Sequence, residues 1–199
     1  MRLSPACAAL AAATTVTAVL GADIRASKAD AALLRQKVAT ITAEAERPSK
    51  QGRQTRVTEN EVNAYLAYDA HEQLPTGVVE PSVSILGTGR LAGRAVVDLD
   101  AVRKEHKPTS LLDPMNYLRG RLPVAATGVL TTSNGVGQFQ LESANVSGLP
   151  IPKILLQEIV SYYSRTPEKP SGIGLDDPFE LPAKIREIRV ERGQAIIVQ

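Results

Sequence analysis

Catalysis and metal binding need a few side-chain types brought close together, and this chain offers few of them. Its two histidines, His71 and His106, each sit among charged neighbours: Asp69 and Glu72 for the first, Lys104, Glu105 and Lys107 for the second. Such surroundings suit a solvated imidazole better than a general base aimed at a reacting atom. No Gly-x-Ser-x-Gly elbow is present to expose a strained serine nucleophile. Asp98 and Asp100 fall two apart on one face of an expected strand, and Asp176-Asp177 lies in an expected loop. A calcium-type site takes about six to eight oxygen ligands, so each pair reads as an ordinary sheet face or loop cap. Gly87-Thr88-Gly89 and Gly135 to Gly137 each join strand to strand, whereas a phosphate loop must open onto a helix N-terminus. These are hairpin glycines. The residues imply no catalytic site, no metal and no cofactor, so the expectation is a non-enzymatic protein.

The one cysteine, Cys7, lies in an N-terminal stretch with the form of a secretory leader. Arg2 supplies its positive end, Ala6 to Leu20 is an uncharged run of small and aliphatic residues, and the next charge is Asp23. Processing is expected between Gly21 and Ala29, so residues 1–26 read as signal peptide and 27–199 as one domain, exported to the periplasm or beyond. The mature chain would then carry no thiol, which excludes disulfides, cysteine nucleophiles and thiolate metal sites. A formal net charge of +2 over 199 residues is far from the basic excess of a nucleic-acid binder. With two Phe, five Tyr and no Trp, the core must be filled by aliphatic residues.

The elements that would position any site follow from periodicity. Ala29 to Ala45 has the composition of a helix, and Arg47, Lys50, Arg53 and Arg56 follow in a stretch without acids, expected to be an exposed basic connector. Thr58-Glu59-Asn60-Glu61 is a capping box, with Val62, Tyr65, Leu66 and Ala70 on one face of the helix it opens. From Val79 the period changes to two. Val83 and Ile85 alternate with Ser82 and Ser84; after Gly87-Thr88-Gly89, Leu91, Ala95, Val97 and Leu99 alternate with charged residues. These form a hairpin. Asp113-Pro114 reads as the cap of a short helix. A second hairpin turns at Ser133-Asn134-Gly135 and a third at Arg192-Gly193. Between them Pro152 opens a helix to about Arg165 in which Ile154, Leu155, Leu156, Ile159, Val160, Tyr162 and Tyr163 crowd most of the circumference. The polar strip of Lys153, Gln157, Ser161 and Ser164 is narrow. The fold class expected is α+β: a curved antiparallel sheet of about six strands, in three hairpins, wrapped around this apolar helix, with helices N-terminal to it.

Small residues at Ala95, Ala126 and Gly128 leave space on the strand faces where Leu or Phe would have filled it, and a largely apolar cleft is what a lipid site requires. Candidate lining residues are Leu91, Val97, Phe139, Leu141, Leu155, Ile159 and Tyr163. Arg47, Lys50, Arg53 and Arg56 are candidates for an anionic membrane surface. The motifs T-E-x-E-V-N-A-Y-L (Thr58 to Leu66), L-P-x-G-V (Leu74 to Val78) and L-P-x-x-I-x-x-I-x-V-x-x-G (Leu181 to Gly193), in this order around an apolar helix, resemble secreted bacterial tubular lipid-binding (TULIP-like) and AsmA-like proteins. The resemblance implies a curved sheet around a helix, apolar ligands in the groove, and no catalytic residues. The function expected is binding or transfer of a lipid or other apolar molecule in the cell envelope. The alternative is an assembly module that pairs with another envelope protein through sheet edges, above all through the terminal strand Ala195 to Val198.

Overall fold

A computed structural model describes residues 27–47, 52–105, 119–167 and 169–199. The expected leader, Lys50, His106 and the Asp113-Pro114 helix lie outside the described residues. Helix α1 (Lys28–Glu46) starts at Ser27, whose hydroxyl accepts the Asp30 amide, and it buries Ala31, Leu34 and Ile41. Strand β1 (Gln54–Thr58) leads straight into α2 (Glu59–Tyr68). Thr58 is both the last strand residue and the helix cap: its hydroxyl accepts the Glu61 amide at 3.3 Å, and its own amide donates to Glu61 Oε2 at 2.9 Å. This is the expected capping box. The same Glu61 carboxylate is buried and receives Lys37 Nζ from α1 at 2.6 and 2.8 Å, which ties the two packed helices together.

Strand β2 (Val78–Gly87) and β3 (Arg90–Asp98) form the first hairpin, and β4 (Arg121–Ser133) and β5 (Val136–Val146) the second, turning at Asn134 (φ 51°) and Gly135 (φ 83°). Positive φ at both turn positions matches the twist of the strands, which is why Asn-Gly stands there. Helix α3 (Leu99–Glu105) links the hairpins. Two short strands, β6 (Leu149–Pro150) and β7 (Phe179–Glu180), pair with opposite ends of β5, and α4 (Lys153–Tyr163) lies between them in sequence. The six-stranded antiparallel sheet thus runs β2-β3-β4-β5-β6, with β7 also on β5. A smaller sheet of β1, β9 (Gln194–Val198) and β8 (Glu187–Glu191) has β9 in its centre. The class is α+β, with antiparallel strands and the three hairpins of the sequence.

Three elements differ from their sequence reading. The large sheet is open and does not close around α4, which packs along β5 and leaves Ile154, Leu155 and Ile159 exposed. The tightest core cluster instead joins Ile41 of α1 to Leu181 and Ile185, with Ile188 and Ile197 against it, so it lies between α1 and the smaller sheet. The basic connector is half strand: Gln54–Thr58 pairs with Val198–Gln194. Only Thr55 and Val57 turn inward there, and the outward Gln54 and Arg56 conceal so short an alternation. Asp100 is not on a strand face. The strand ends at Asp98, whose Oδ1 accepts the amides of Asp100 and Ala101, both at 3.1 Å, and so caps α3.

Edges are covered by specific groups. On β2, Asn63 of α2 accepts from the Val83 amide and donates to its carbonyl, both at 2.8 Å, while Glu59 accepts the Ile85 amide and the Gly193 amide donates to the Ile85 carbonyl. On β8, the Thr132 hydroxyl takes the Ile188 amide and donates to its carbonyl. Covered edges resist pairing with other chains.

Candidate ligand groove

Register decides what the large sheet shows to its two helices. Val83 pairs with Gly93, Gly93 with Ala126, and Ala126 with Ala144; one step along, Ala95 pairs with Val124 and Val124 with Val146. Partners across an antiparallel pair share a face, so Gly93, Ala95, Ala126 and Ala144 make a patch of very small residues in the middle of the sheet. Leu66 of α2 stands over its β2 side and Leu156 of α4, with Ile151, over its β5 side. Between them lies an open groove of about 470 Å³, walled also by Pro81, Val83, Val124 and Val146. Its size falls in the range of about 300–1,000 Å³ typical of small-molecule sites. Among its lining residues Ser82, Arg94 and Asn145 are polar. Their register places them on the opposite face, with Ser82 paired to Arg94 and Arg94 to Ala125.

The sheet face continues beyond the groove at both ends in larger residues. Toward the smaller sheet, Leu91 pairs with Gly128 and Gly128 with Leu141. A methyl on Gly128 would come within 2.5 Å of Phe139 Cζ, so the space this glycine leaves is taken by the Phe139 ring. At the other end Val97 pairs with Leu122. Leu91, Val97, Phe139 and Leu141 are half-buried flanks of the groove. Leu155 and Ile159 face outward from α4, 46% and 42% exposed. The side chain of Tyr163 lies outside the described residues. The lining missed in sequence, Leu66, Val83, Val124, Val146, Ile151 and Leu156, belongs to separate elements whose convergence only the register reveals; Ala95 and Ala126 were its legible signal.

A second hollow, about 560 Å³, lies where the two sheets meet and is lined by Gln54, Thr132, Asn134, Arg186 and Arg189 among others. It is polar, and its arginines are engaged: Arg186 donates to the Gln199 carbonyl at 2.8 Å and Arg189 pairs with Glu187 at 3.2 Å. The groove over the small-residue floor is the site with a distinct chemistry, that of an apolar surface.

Of the basic candidates, Arg53 pairs with Glu44 of α1, while Arg47 and Arg56 are exposed and are held through their backbones: the Arg47 amide donates to the Ala43 carbonyl at the end of α1, and the Arg56 carbonyl accepts Lys37 Nζ at 2.7 Å. Asp98 is held below the usual carboxylate range first by the Ala101 amide and then by Arg121. Asp176 is lowered chiefly by Lys153, its partner at 2.5 Å. Asp177 accepts the Gly174 amide at 2.7 Å. His71 is exposed. Among the described residues no three His, Cys, Asp or Glu gather to hold a metal, and no helix is long and apolar enough to cross a membrane.

Fold and site together define an α+β protein whose open antiparallel sheet carries an apolar groove between two helices. The chain matches no family model, no curated protein and no solved structure.

Proposed function

We propose that this chain is a non-enzymatic binding protein of the bacterial envelope, exported to the periplasm or secreted, that holds a lipid or another apolar molecule in the groove between α2 and α4. The observation that carries the reading is the groove floor. Three adjacent strands place Gly93, Ala95, Ala126 and Ala144 where a sheet covered by helices would carry larger side chains, and about 470 Å³ stays open above them. Apolar surface left in water costs roughly 25 cal/mol per Å², and an aliphatic ligand removes that cost. The resemblance of the capping and hairpin signatures to tubular lipid binders points the same way. So does the leader-like N-terminus, for export. An assembly module is less well supported, because the strand best suited to edge pairing, β9, already has β1 on one side and β8 on the other.

The test is uptake of a fluorescent long-chain fatty acid by the purified protein, followed by displacement with total envelope lipid. Saturable uptake near one probe per chain is expected. A protein that takes up no probe, and that carries no extractable lipid when purified from its own envelope, would overturn the reading.

A further inference from the structure

The segment between β6 and β7 leaves the sheet and returns to it on the same strand: β6 pairs with Asn145 and Val146 at one end of β5, and β7 with Val136 and Gly137 at the other. Everything in between is an excursion from one edge. Within it, α4 is bound to the loop that follows. Gln157 accepts the Leu175 amide at 2.7 Å, Ser164 accepts the Ile173 amide at 2.7 Å, Ser161 donates to the Ile173 carbonyl at 3.3 Å, and Lys153 pairs with Asp176. Gly172, at φ +75°, lies so close to the helix that a Cβ there would overlap the Ser161 carbonyl. The narrow polar strip of α4 is therefore the seat of its own loop.

Toward the sheet the attachment is of another kind. Leu156 of α4 stands over the groove beside Ala144 and Val146, and the loop reaches β5 through Asp176, whose carbonyl accepts Gln138 Nε2 at 3.0 Å and whose carboxylate is also held by the Leu141 amide. Prolines stand where the excursion starts, at Pro150 and Pro152, and where it ends, at Pro178.

We propose that α4 and Gly172–Asp177 form a single rigid lid on the β5 side of the groove, anchored at its two ends on β5 and closed by the Gln138–Asp176 catch. The proposal rests on the groove reading for what the lid admits, but the lid itself can be measured without any ligand. Local opening exposes the amides of one cooperative unit together.

Hydrogen exchange of the full chain, read by mass spectrometry, is compared with Gln138→Ala and Gly172→Ala, alongside the uptake rate of the fluorescent fatty acid. Gln138 is exposed, so Gln138→Ala leaves the sheet folded. Peptides from α4 and from 172–177 are expected to exchange at one common rate, faster than β3 and β4, and Gln138→Ala should raise that rate about fivefold, the worth of one hydrogen bond. Probe uptake should speed up by a similar factor. Gly172→Ala separates helix from loop, so their rates should diverge. The lid is overturned if α4 and the loop already exchange independently in the parent protein, or if α4 exchanges no faster than β4. It is also overturned if Gln138→Ala changes neither exchange nor uptake. A parent protein that shows concerted exchange but takes up no probe keeps the lid and removes the groove's proposed ligand.

Discussion

Replacing Ala126 and Ala144 together with leucine separates a binding groove from a poorly filled core. The two are direct cross-strand partners on the groove floor, and each substitution adds three carbons pointing into the open volume of about 470 Å³. At about 0.8 kcal/mol per buried methylene, six carbons that a ligand can no longer bury amount to roughly 5 kcal/mol, or between three and four decades in Kd. Partial rearrangement of a flexible chain recovers some of this, so a loss of at least about a hundredfold is expected in fatty-acid binding followed by fluorescence. Stability should move the other way. Leucines entering open space cover apolar neighbours, and Tm should hold or rise by a few degrees, at about 2–4 °C per kcal/mol for a chain of this size. Overpacking a filled core costs about 1–3 kcal/mol instead. A Tm that falls by several degrees with probe binding intact would refute the reasoning, because the floor would then be packed and the ligand held elsewhere.

Other predictions concern what holds the floor in place. Asn63→Leu removes both hydrogen bonds to Val83 and should cost about 2–3 kcal/mol, with faster amide exchange at β2 and a new tendency to self-associate by light scattering; unchanged exchange would mean the edge is covered otherwise. Lys37→Met leaves the buried Glu61 carboxylate without its cation and should cost about 3 kcal/mol in urea unfolding, whereas Lys37→Met with Glu61→Gln should recover part of it. Asp98 and Asp176 both titrate below their ordinary value of 3.8. The charge-dependent stability each contributes is present above that value and lost as pH falls through the lower folded value. The double variant Asp98→Asn with Asp176→Asn should therefore flatten the fall in Tm below about pH 4, and a slope equal to the parent's would contradict this.

Local signals with strong geometry were legible in the sequence. The capping box at Thr58, the Asn134-Gly135 turn and the three hairpins rest on neighbouring residues, and the structure has them. What was not legible depends on long-range packing. β1 hides among arginines because a five-residue strand has too few inward positions to show a period, and it forms because β9 supplies its partner. Asp100 reads as a strand residue because the alternation of β3 runs on into it, but the Asp98 carboxylate caps the Asp100 and Ala101 amides and turns the chain into α3. α4 looks like a helix for the interior, yet its polar strip is used up by its own loop and its outer apolar side stays exposed. The groove is the clearest case. Ala95 and Ala126 showed that the strand faces were short of volume, but Gly128, of equal promise in sequence, is filled by Phe139 two strand positions before its cross-strand partner. Leu66 and Leu156 become walls because Asn63 and Glu59 seat α2 on β2 and α4 packs along β5, contacts that no local pattern shows.

The proposed ligand is an aliphatic chain lying on the alanine floor. Methyl-resolved NMR of the protein titrated with a long-chain fatty acid tests it most directly. Saturable shifts are predicted at Ala95, Ala126, Ala144, Leu66 and Leu156, with Ile41 and Ile185 of the other core unmoved. Shifts confined to the exposed Ile154, Leu155 and Ile159, or none at saturating ligand, would contradict the account.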